Sequence, residues 1–218
     1  MGKRYSKKVE FESYFKPKTQ AQSEFYNTIF HHDITIGYGS AGTGKTHVAV
    51  ATACEALKKG LVKKLIFSRP AVEAGEKLGF LPGELNDKMG PYVRPIYDAL
   101  SEILGEKITQ NLTQTKALEV APLAYLRGRT FNDSFIILDE AQNTTIEQMK
   151  MFLSRIGEGS CMVIIGDTTQ NDLGNRKCGL QDAVERLQSI EEVGFTKFTK
   201  DDIVRHPLIG RILDVYEI

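Results

Sequence analysis

A glycine-rich stretch constrains this chain more than any other feature, because it follows an apolar, β-prone run and leads into an alanine-rich segment. Residues 39–46 fit the pattern G-x-x-x-x-G-K-[ST]. In this pattern backbone N–H groups wrap phosphates, the lysine neutralises them and the threonine hydroxyl helps to hold Mg²⁺. Glycine is needed because a Cβ would block the close approach of backbone to phosphate. The residues expected to contact such a ligand are Gly39, Ser40, Ala41, Gly42, Thr43, Gly44, Lys45, Thr46 and His47.

The composition of the chain sets limits on its partners. Its 218 residues are 41% apolar and 26% charged, which is enough for a single α/β domain with a sizeable core. The 28 basic and 28 acidic residues give zero formal net charge, so a nucleic-acid site must be a local patch. No apolar run approaches the ~20 residues of a membrane span, and no signal core follows the basic N-terminus. We therefore expect a cytoplasmic protein without membrane contact.

The cysteines carry no sign of a metal site. Cys54, Cys161 and Cys178 are scattered and have no metal-ligand spacing. An odd number of cysteines in apolar contexts is typical of reduced thiols in a cytosolic protein.

The segment before the phosphate-binding loop predicts a helix that starts near Pro17. It contains two glutamines, Gln20 and Gln22, either of which could read an adenine edge. A solvent-exposed glutamine is the open alternative. Residues 1–16, which mix charged and aromatic side chains without periodicity, are predicted to be an N-terminal arm.

After the loop, residues 48–57 predict a helix and residues 62–68 a buried strand. The helix N-terminus would point its positive dipole end at the phosphates. Arg69 follows the strand at its carboxyl end, where open α/β sheets hold ligands. We expect Arg69 to contact a phosphate, either of a nucleotide or of a nucleic-acid backbone.

Residues 73–130 are predicted to form a mainly helical insertion in a single domain that spans residues 17–218. Glycines and prolines punctuate this segment, and its helical patterns cover residues 92–104, 113–120 and 122–127. Three arginines in it could bind a polyanion or belong to a solvated face: Arg94, Arg127 and Arg129.

Two further buried strands end in polar residues. Residues 135–138 are a continuous apolar run, typical of a central parallel strand, and lead into Asp139 and Glu140. We expect Asp139 to bind Mg²⁺ together with Thr46, and Glu140 to orient or deprotonate water. The strand at residues 162–166 leads to Gln170, whose amide could sense a γ-phosphate.

The remaining segments predict helices at residues 144–156, 179–190 and 207–216 and a strand at residues 195–199. Arg205 lies directly before the last helix. An exposed arginine at this position could project into a phosphate site, although not easily into its own.

Three other functions compete with nucleotide hydrolysis. Gly37, Gly39 and Gly42 also spell the dinucleotide-binding pattern G-x-G-x-x-G, but an acid is missing at the end of the second strand. A small-molecule kinase would share the phosphate-binding loop, yet Glu140 poised to activate water would be a liability there. An ATP-gated binding module with little turnover stays open.

With these motifs placed, the chain resembles the PhoH-like ATPase family. The resemblance rests on the loop and on the runs at residues 68–70, 75–83, 127–131, 138–143, 166–170 and 202–206. It implies a RecA-like P-loop core, similar to the first motor domain of superfamily 1 helicases, with ATP and Mg²⁺ as ligands. It also implies an association with RNA or single-stranded nucleic acid. The residues that we expect to be catalytic are Lys45, Glu140, Gln170 and Arg205.

The resemblance to helicases raises one further expectation. Those enzymes close the ATP site with arginines from a second core, and such arginines contribute ~10³ to 10⁵ in rate in other phosphoryl-transfer systems. This chain has one core. We therefore expect a homo-oligomeric ring, a hexamer, in which a neighbouring subunit supplies Arg205 or, as the second candidate, Arg155.

Overall fold

A six-stranded parallel sheet is the centre of the computed structural model, which describes residues 15–70, 85–168, 170 and 177–204. Its strands, in chain order, are β1 (Ile34–Gly39), β2 (Lys64–Arg69), β3 (Leu118–Pro122), β4 (Ser134–Leu138), β5 (Cys161–Gly166) and β6 (Val193–Phe198). Their spatial order is β3-β2-β4-β5-β1-β6, and every neighbouring pair is parallel. The strand that leads into the phosphate-binding loop is thus separated from the acidic strand β4 by β5 alone.

Helices connect the strands and cover both faces of the sheet. They are α1 (Gln20–His31), α2 (Lys45–Lys58), α3 (Leu85–Leu104), α4 (Glu106–Gln114), α5 (Ile146–Leu153) and α6 (Gly179–Arg186), with short 3₁₀ helices at Leu123–Leu126, Ala141–Asn143 and Lys200–Asp202. The first begins at Thr19, whose hydroxyl accepts a hydrogen bond from the N–H of Gln22. A capping box at Thr145 and Gln148 starts α5 in the same way.

Two hydrophobic clusters fill the space between the sheet and its helices. On one face Phe25 of α1 and Val48 of α2 pack with the strand residue Phe135. On the other, Phe152 of α5 packs with the strand residue Ile136. Because both faces are buried, the central strands are continuous apolar runs without polar alternation. The parallel sheet flanked by helices, predicted from these runs, is confirmed.

The inserted segment differs from its prediction. Residues 113–120 were expected to be helical, but α4 ends at Gln114 and β3 pairs in parallel with β2. Lys116 has a φ of 58°, which stops the helix, and Leu65 then donates to the carbonyl of Ala117 at 2.8 Å. The free edge of β2 thus supplies hydrogen bonds that outweigh the local helical pattern. The helix expected at residues 122–127 is only a short 3₁₀ helix at Leu123–Leu126.

Several predictions concern other parts of the chain. The closing helix at residues 207–216, Arg205 and most of the N-terminal arm lie outside the described residues.

No helix in the described ranges is long and apolar enough to cross a membrane. None of the three cysteines forms a disulfide within the described residues, and burial raises the pKa of the Cys54 thiol to about 12.

Candidate active site at the carboxyl edge of the sheet

The phosphate-binding loop lies at the carboxyl ends of the parallel strands, a region we call the carboxyl edge. Gly39 has a φ of 119°, and a Cβ there would lie 2.0 Å from the carbonyl oxygen of Phe198. Gly44 has a φ of 79°, and its Cβ would lie 2.7 Å from Nε2 of Gln22. The N–H of Ser40 donates to the same Phe198 carbonyl at 3.2 Å. The two glycines are therefore required by positive φ and by close contacts with β6 and α1.

The two glutamines of α1 have different surroundings. Gln22 is buried; its Nε2 donates to the Thr43 carbonyl at 3.0 Å and its Oε1 accepts from the N–H of Lys18 at 2.8 Å. Gln20 is exposed and donates to Glu24 at 2.8 Å. Of the two candidates for contact with a nucleotide, Gln22 is thus the one that touches the loop. It fastens α1 to the loop through Nε2, while Oε1 is held by the segment directly before the helix.

Lys45 is buried at the first position of α2, and its ammonium faces the inside of the loop. Its Nζ donates to the carbonyl oxygens of Gly39 at 2.8 Å and Ser40 at 2.6 Å, and lies 3.3 Å from Oγ1 of Thr43. Phosphate oxygens at this position would offer it negatively charged acceptors, which form stronger hydrogen bonds than carbonyl groups. The positive end of the α2 dipole adds to this attraction.

Thr46 and Asp139 bring oxygen atoms together beside the loop. The Thr46 hydroxyl donates to Oδ1 of Asp139 at 3.2 Å, although the two residues are 93 positions apart. Oδ2 of this buried carboxylate accepts from Nε of Arg69 at 2.9 Å and also from its Nη2. Hydroxyl and carboxylate oxygens are the ligands that Mg²⁺ takes, so the donor set fits this ion. Arg69, expected at a phosphate, instead pairs with the predicted Mg²⁺ ligand.

Glu140 follows Asp139 in an unusual backbone conformation. Its φ of 55° and ψ of 39° lie in the left-handed region, which is strained for a residue with a side chain. Its N–H donates to Oδ1 of Asp139 at 3.0 Å, and its carboxylate accepts from Nε2 of Gln142 at 2.6 Å. The side chain is exposed, which leaves the carboxylate accessible to water.

The end of β5 completes this part of the edge. Asp167 is buried, and its N–H donates to Oε1 of Gln142 at 3.0 Å. Gln170 is exposed, and its N–H donates to the carbonyl oxygen of Asp167 at 3.2 Å. Since the strands are parallel, Gln170 follows β5 at the same edge of the sheet as the loop. Its role at a γ-phosphate stays a prediction.

Other candidates lie elsewhere. Arg155 donates from Nε to Met151, from Nη1 to the carbonyl oxygen of Arg129 and from Nη2 to Ser154. These contacts are near the amino ends of β4 and β5, opposite the loop. The other arginine candidate for a neighbouring site, Arg205, lies outside the described residues. His47 is exposed, and its ring centroid lies 6.1 Å from that of Phe15.

The three arginines of the inserted segment are not equivalent. Arg129 forms a double hydrogen bond to Glu119, at 2.5 and 2.8 Å, and its guanidinium lies 4.6 Å from the centre of the Phe131 ring. This contact lowers the pKa of Glu119 and raises that of Arg129. Arg94 and Arg127 are exposed. Arg129 is therefore already neutralised, whereas the other two present their side chains to solvent.

No role is predicted for Gln142 from the sequence, yet the structure places this residue at the centre of the site. It is buried and contacts both Glu140 and Asp167. A polar residue that follows two acids at the end of a buried strand was the available signal. The sequence does not show that Gln142 joins Glu140 to Asp167, because these two residues follow different strands, β4 and β5.

Known proteins resemble this chain over most of its length. A family model described as PhoH-like protein matches residues 14–217. A PhoH-like protein of Bacillus subtilis is 51% identical over 201 residues, which cover 92% of this chain and 63% of that protein. A PhoH-like protein of Mycobacterium tuberculosis (strain H37Rv) is 51% identical over 202 residues, 92% of this chain and 57% of its own length. Protein PhoH of Escherichia coli K12 is 44% identical over 202 residues, 91% and 57% of the two chains. The chain thus spans less than two thirds of these relatives.

Proposed function

The chain belongs to the PhoH-like protein family, and from this membership and the carboxyl edge we propose that it hydrolyses ATP with Mg²⁺. The observation that carries the proposal is the 3.2 Å hydrogen bond between Thr46 and Asp139, 93 residues apart. It joins the end of the phosphate-binding loop to the acidic strand, next to Glu140.

Each residue of the site has a part in this reaction. Lys45 and the backbone N–H groups of the loop bind the β- and γ-phosphates. Thr46 and Asp139 would hold Mg²⁺, which neutralises charge on the phosphates when it is bound. Glu140 orients water and accepts its proton, since its carboxylate is exposed beside this pair of ligands. Gln170, which follows β5, forms a hydrogen bond to the γ-phosphate through its amide.

We also propose that RNA or single-stranded nucleic acid binds at the carboxyl edge. The chain there continues from β3 into the 3₁₀ helix Leu123–Leu126, where the Tyr125 side chain is 50% exposed. Arg127 follows directly and is exposed as well. An exposed aromatic ring stacks on bases without sequence preference, and an arginine contacts phosphates. ATP turnover would then be coupled to binding or remodelling of the polymer.

An ATPase assay with and without RNA or single-stranded DNA tests the proposal. Wild type is expected to hydrolyse ATP, to be stimulated by one of the polymers, and to require Mg²⁺. Glu140→Gln should lose about 10² to 10⁴ in kcat, the usual contribution of a general base, while it still binds ATP. Glu158→Gln removes an exposed carboxylate at the opposite end of the strands and is the matched control.

The outcomes separate the competing functions. Turnover without stimulation by either polymer would contradict the nucleic-acid role. ATP binding without turnover would favour the ATP-gated binding module. Phosphate transfer to a small acceptor in place of water would favour a kinase.

We further propose a homo-oligomeric ring, a hexamer, in which an arginine of the neighbouring subunit completes each site. Arg205 is preferred, because the three guanidinium contacts of Arg155 are made within its own chain. An Arg205→Ala subunit keeps its own site, and a Glu140→Gln subunit keeps its arginine. Mixing the two inactive variants should therefore restore activity at the junctions between them. A monomer that hydrolyses ATP at full rate under dilution would contradict the ring.

A further inference from the structure

Gln142 links two polar segments at the carboxyl edge through the two ends of its amide. Nε2 donates to Oε2 of Glu140 at 2.6 Å, and Oε1 accepts from the N–H of Asp167 at 3.0 Å. The side chain is only 3% exposed. Water is thus largely excluded from the amide, and each hydrogen bond depends on the protein group opposite it.

Close packing fixes the position of this amide. A Cβ on Gly166 would lie 2.5 Å from Oε1 of Gln142, 3.0 Å from its backbone nitrogen and 2.7 Å from Cδ2 of Leu180. Residue 166 is therefore a glycine because the end of β5 lies directly against Gln142 and α6. A displacement of β5 at this point cannot be absorbed by empty space beside the amide.

The same turn is tied to the start of α6. The Sγ of Cys178 donates to the carbonyl oxygen of Gln142 at 3.3 Å, and the N–H of Gly179 donates to that of Thr144 at 2.7 Å. The end of β5 and the start of α6 thus both reach the turn at Gln142. The start of α6 therefore holds the backbone of the turn that carries Gln142, and the end of β5 holds its amide.

Glu140 is well suited to respond to a movement of this amide. Its left-handed backbone, with a φ of 55°, is held by the surrounding contacts against local strain. Its side chain is exposed. Within the described part of the chain, the carboxylate accepts a side-chain hydrogen bond from Gln142. The direction of that carboxylate therefore depends on the amide.

We propose that Gln142 is a positioning residue that couples the end of β5 to the orientation of the Glu140 carboxylate. Gln170 follows β5 by a short segment, and the N–H of Gln170 donates to the Asp167 carbonyl at 3.2 Å. Contact of Gln170 with a γ-phosphate or a polymer is thus transmitted through Asp167 and Gln142 to the residue that takes the proton of water. The inference rests on the ATPase activity proposed above.

A double-mutant cycle of Gln142→Met and Glu140→Gln tests the coupling. Methionine has similar length and burial but neither donates nor accepts as the amide does. Gln142→Met should lower kcat about tenfold to 100-fold with little change in ATP affinity, because general-base catalysis requires the carboxylate in place. In the Glu140→Gln background the same change should have almost no further effect. The matched control is Gln110→Met, whose amide donates to Glu106 at 3.2 Å in an exposed position.

Hydrogen–deuterium exchange gives a second readout that does not require turnover. A non-hydrolysable ATP analogue should change the exchange of both residues 139–143 and residues 161–167 in the wild type. In Gln142→Met the change should be confined to one of the two segments.

The failures can be told apart. An active wild type beside a Gln142→Met variant of unchanged kcat would overturn the coupling alone. A loss of kcat that is fully additive with Glu140→Gln would assign Gln142 a structural role and would overturn it too. A wild type without turnover would overturn the proposed ATPase activity and the coupling with it.

Discussion

The two edges of the sheet are both rich in polar groups but use them differently. At the amino edge, where β4 and β5 begin, the Ser160 hydroxyl accepts from the N–H of Ser134 at 2.9 Å and donates to the carbonyl oxygen of Phe131 at 2.6 Å. The N–H of Asp133 donates to the Glu158 carbonyl at 2.8 Å. These bonds satisfy backbone groups that the sheet leaves unpaired.

At the carboxyl edge the charged side chains are largely buried and are bonded to one another or to loop carbonyl groups, whereas the charged pair Lys63 and Asp133 at the amino edge is exposed. Arg69 pairs with Asp139, and Lys45 donates to the carbonyl oxygen of Gly39. Ser68 Oγ, also at this edge, is a buried polar atom that has no hydrogen-bond partner among the described residues. A ligand could replace the side-chain contacts of Lys45 and Arg69 without breaking hydrogen bonds of the sheet. The comparison indicates that the amino edge serves stability, and the carboxyl edge is the one at which we propose that a ligand binds.

Replacing Lys45 by alanine is expected to have the largest effect. A hydrogen bond to a charged group contributes about 1.5–3 kcal/mol, so the affinity for ATP should fall about 10- to 150-fold. Titration with a fluorescent ATP analogue measures this change. Lys197→Ala on β6 removes an exposed lysine and should leave the affinity unchanged. Equal affinities for ATP in wild type and Lys45→Ala would contradict the proposal that the carboxyl edge binds the nucleotide.

Replacing Ser160 by alanine should lower the free energy of unfolding and leave the affinity for ATP unchanged. The N–H of Ser134 would lose its buried acceptor, which costs about 1–3 kcal/mol in the free energy of unfolding. Urea unfolding measures this loss, and exposed Ser189 provides the control substitution to alanine. Because the amino edge is remote from the loop, the affinity for ATP should not change. A weakened affinity would show that the two edges are not independent.

The smallest effect is expected from Glu119→Gln, which tests an ion pair away from the loop. Arg129 lowers the folded-state pKa of Glu119, so the pair stabilises the fold above the unfolded pKa of about 4.3. This contribution is lost as the pH falls through the lower, folded-state pKa. Both side chains are more than a third exposed, at 40% and 37%, so it should stay below about 1 kcal/mol.

Urea unfolding of wild type and Glu119→Gln at neutral pH and at pH ~3 gives the measurement. The two proteins should differ at neutral pH and converge in acid. A difference that grows in acid would contradict the assigned direction of the pKa shift.

The sequence by itself determined the parallel sheet and the positions of the glycine-rich loop and the acidic strand. These features can be read locally, because a phosphate is wrapped by consecutive backbone groups and a buried parallel strand is a continuous apolar run. Residues 39–46 and the pair Asp139 and Glu140 therefore needed no knowledge of the fold. The segment at residues 113–120 was predicted wrongly, since its strand exists only because β2 offers a free edge.

Only the tertiary structure decided which side chains meet. Arg69 pairs with Asp139 across 70 residues, Gln22 reaches the loop across 21, and Gln142 reaches Asp167 across 25. The contacts of Arg69 and Gln142 follow from the order of strands in the sheet and the crossovers between them, and that of Gln22 follows from the packing of α1 beside the loop. Local spacing carries no information about that order, because it is set by the packing of helices on both faces.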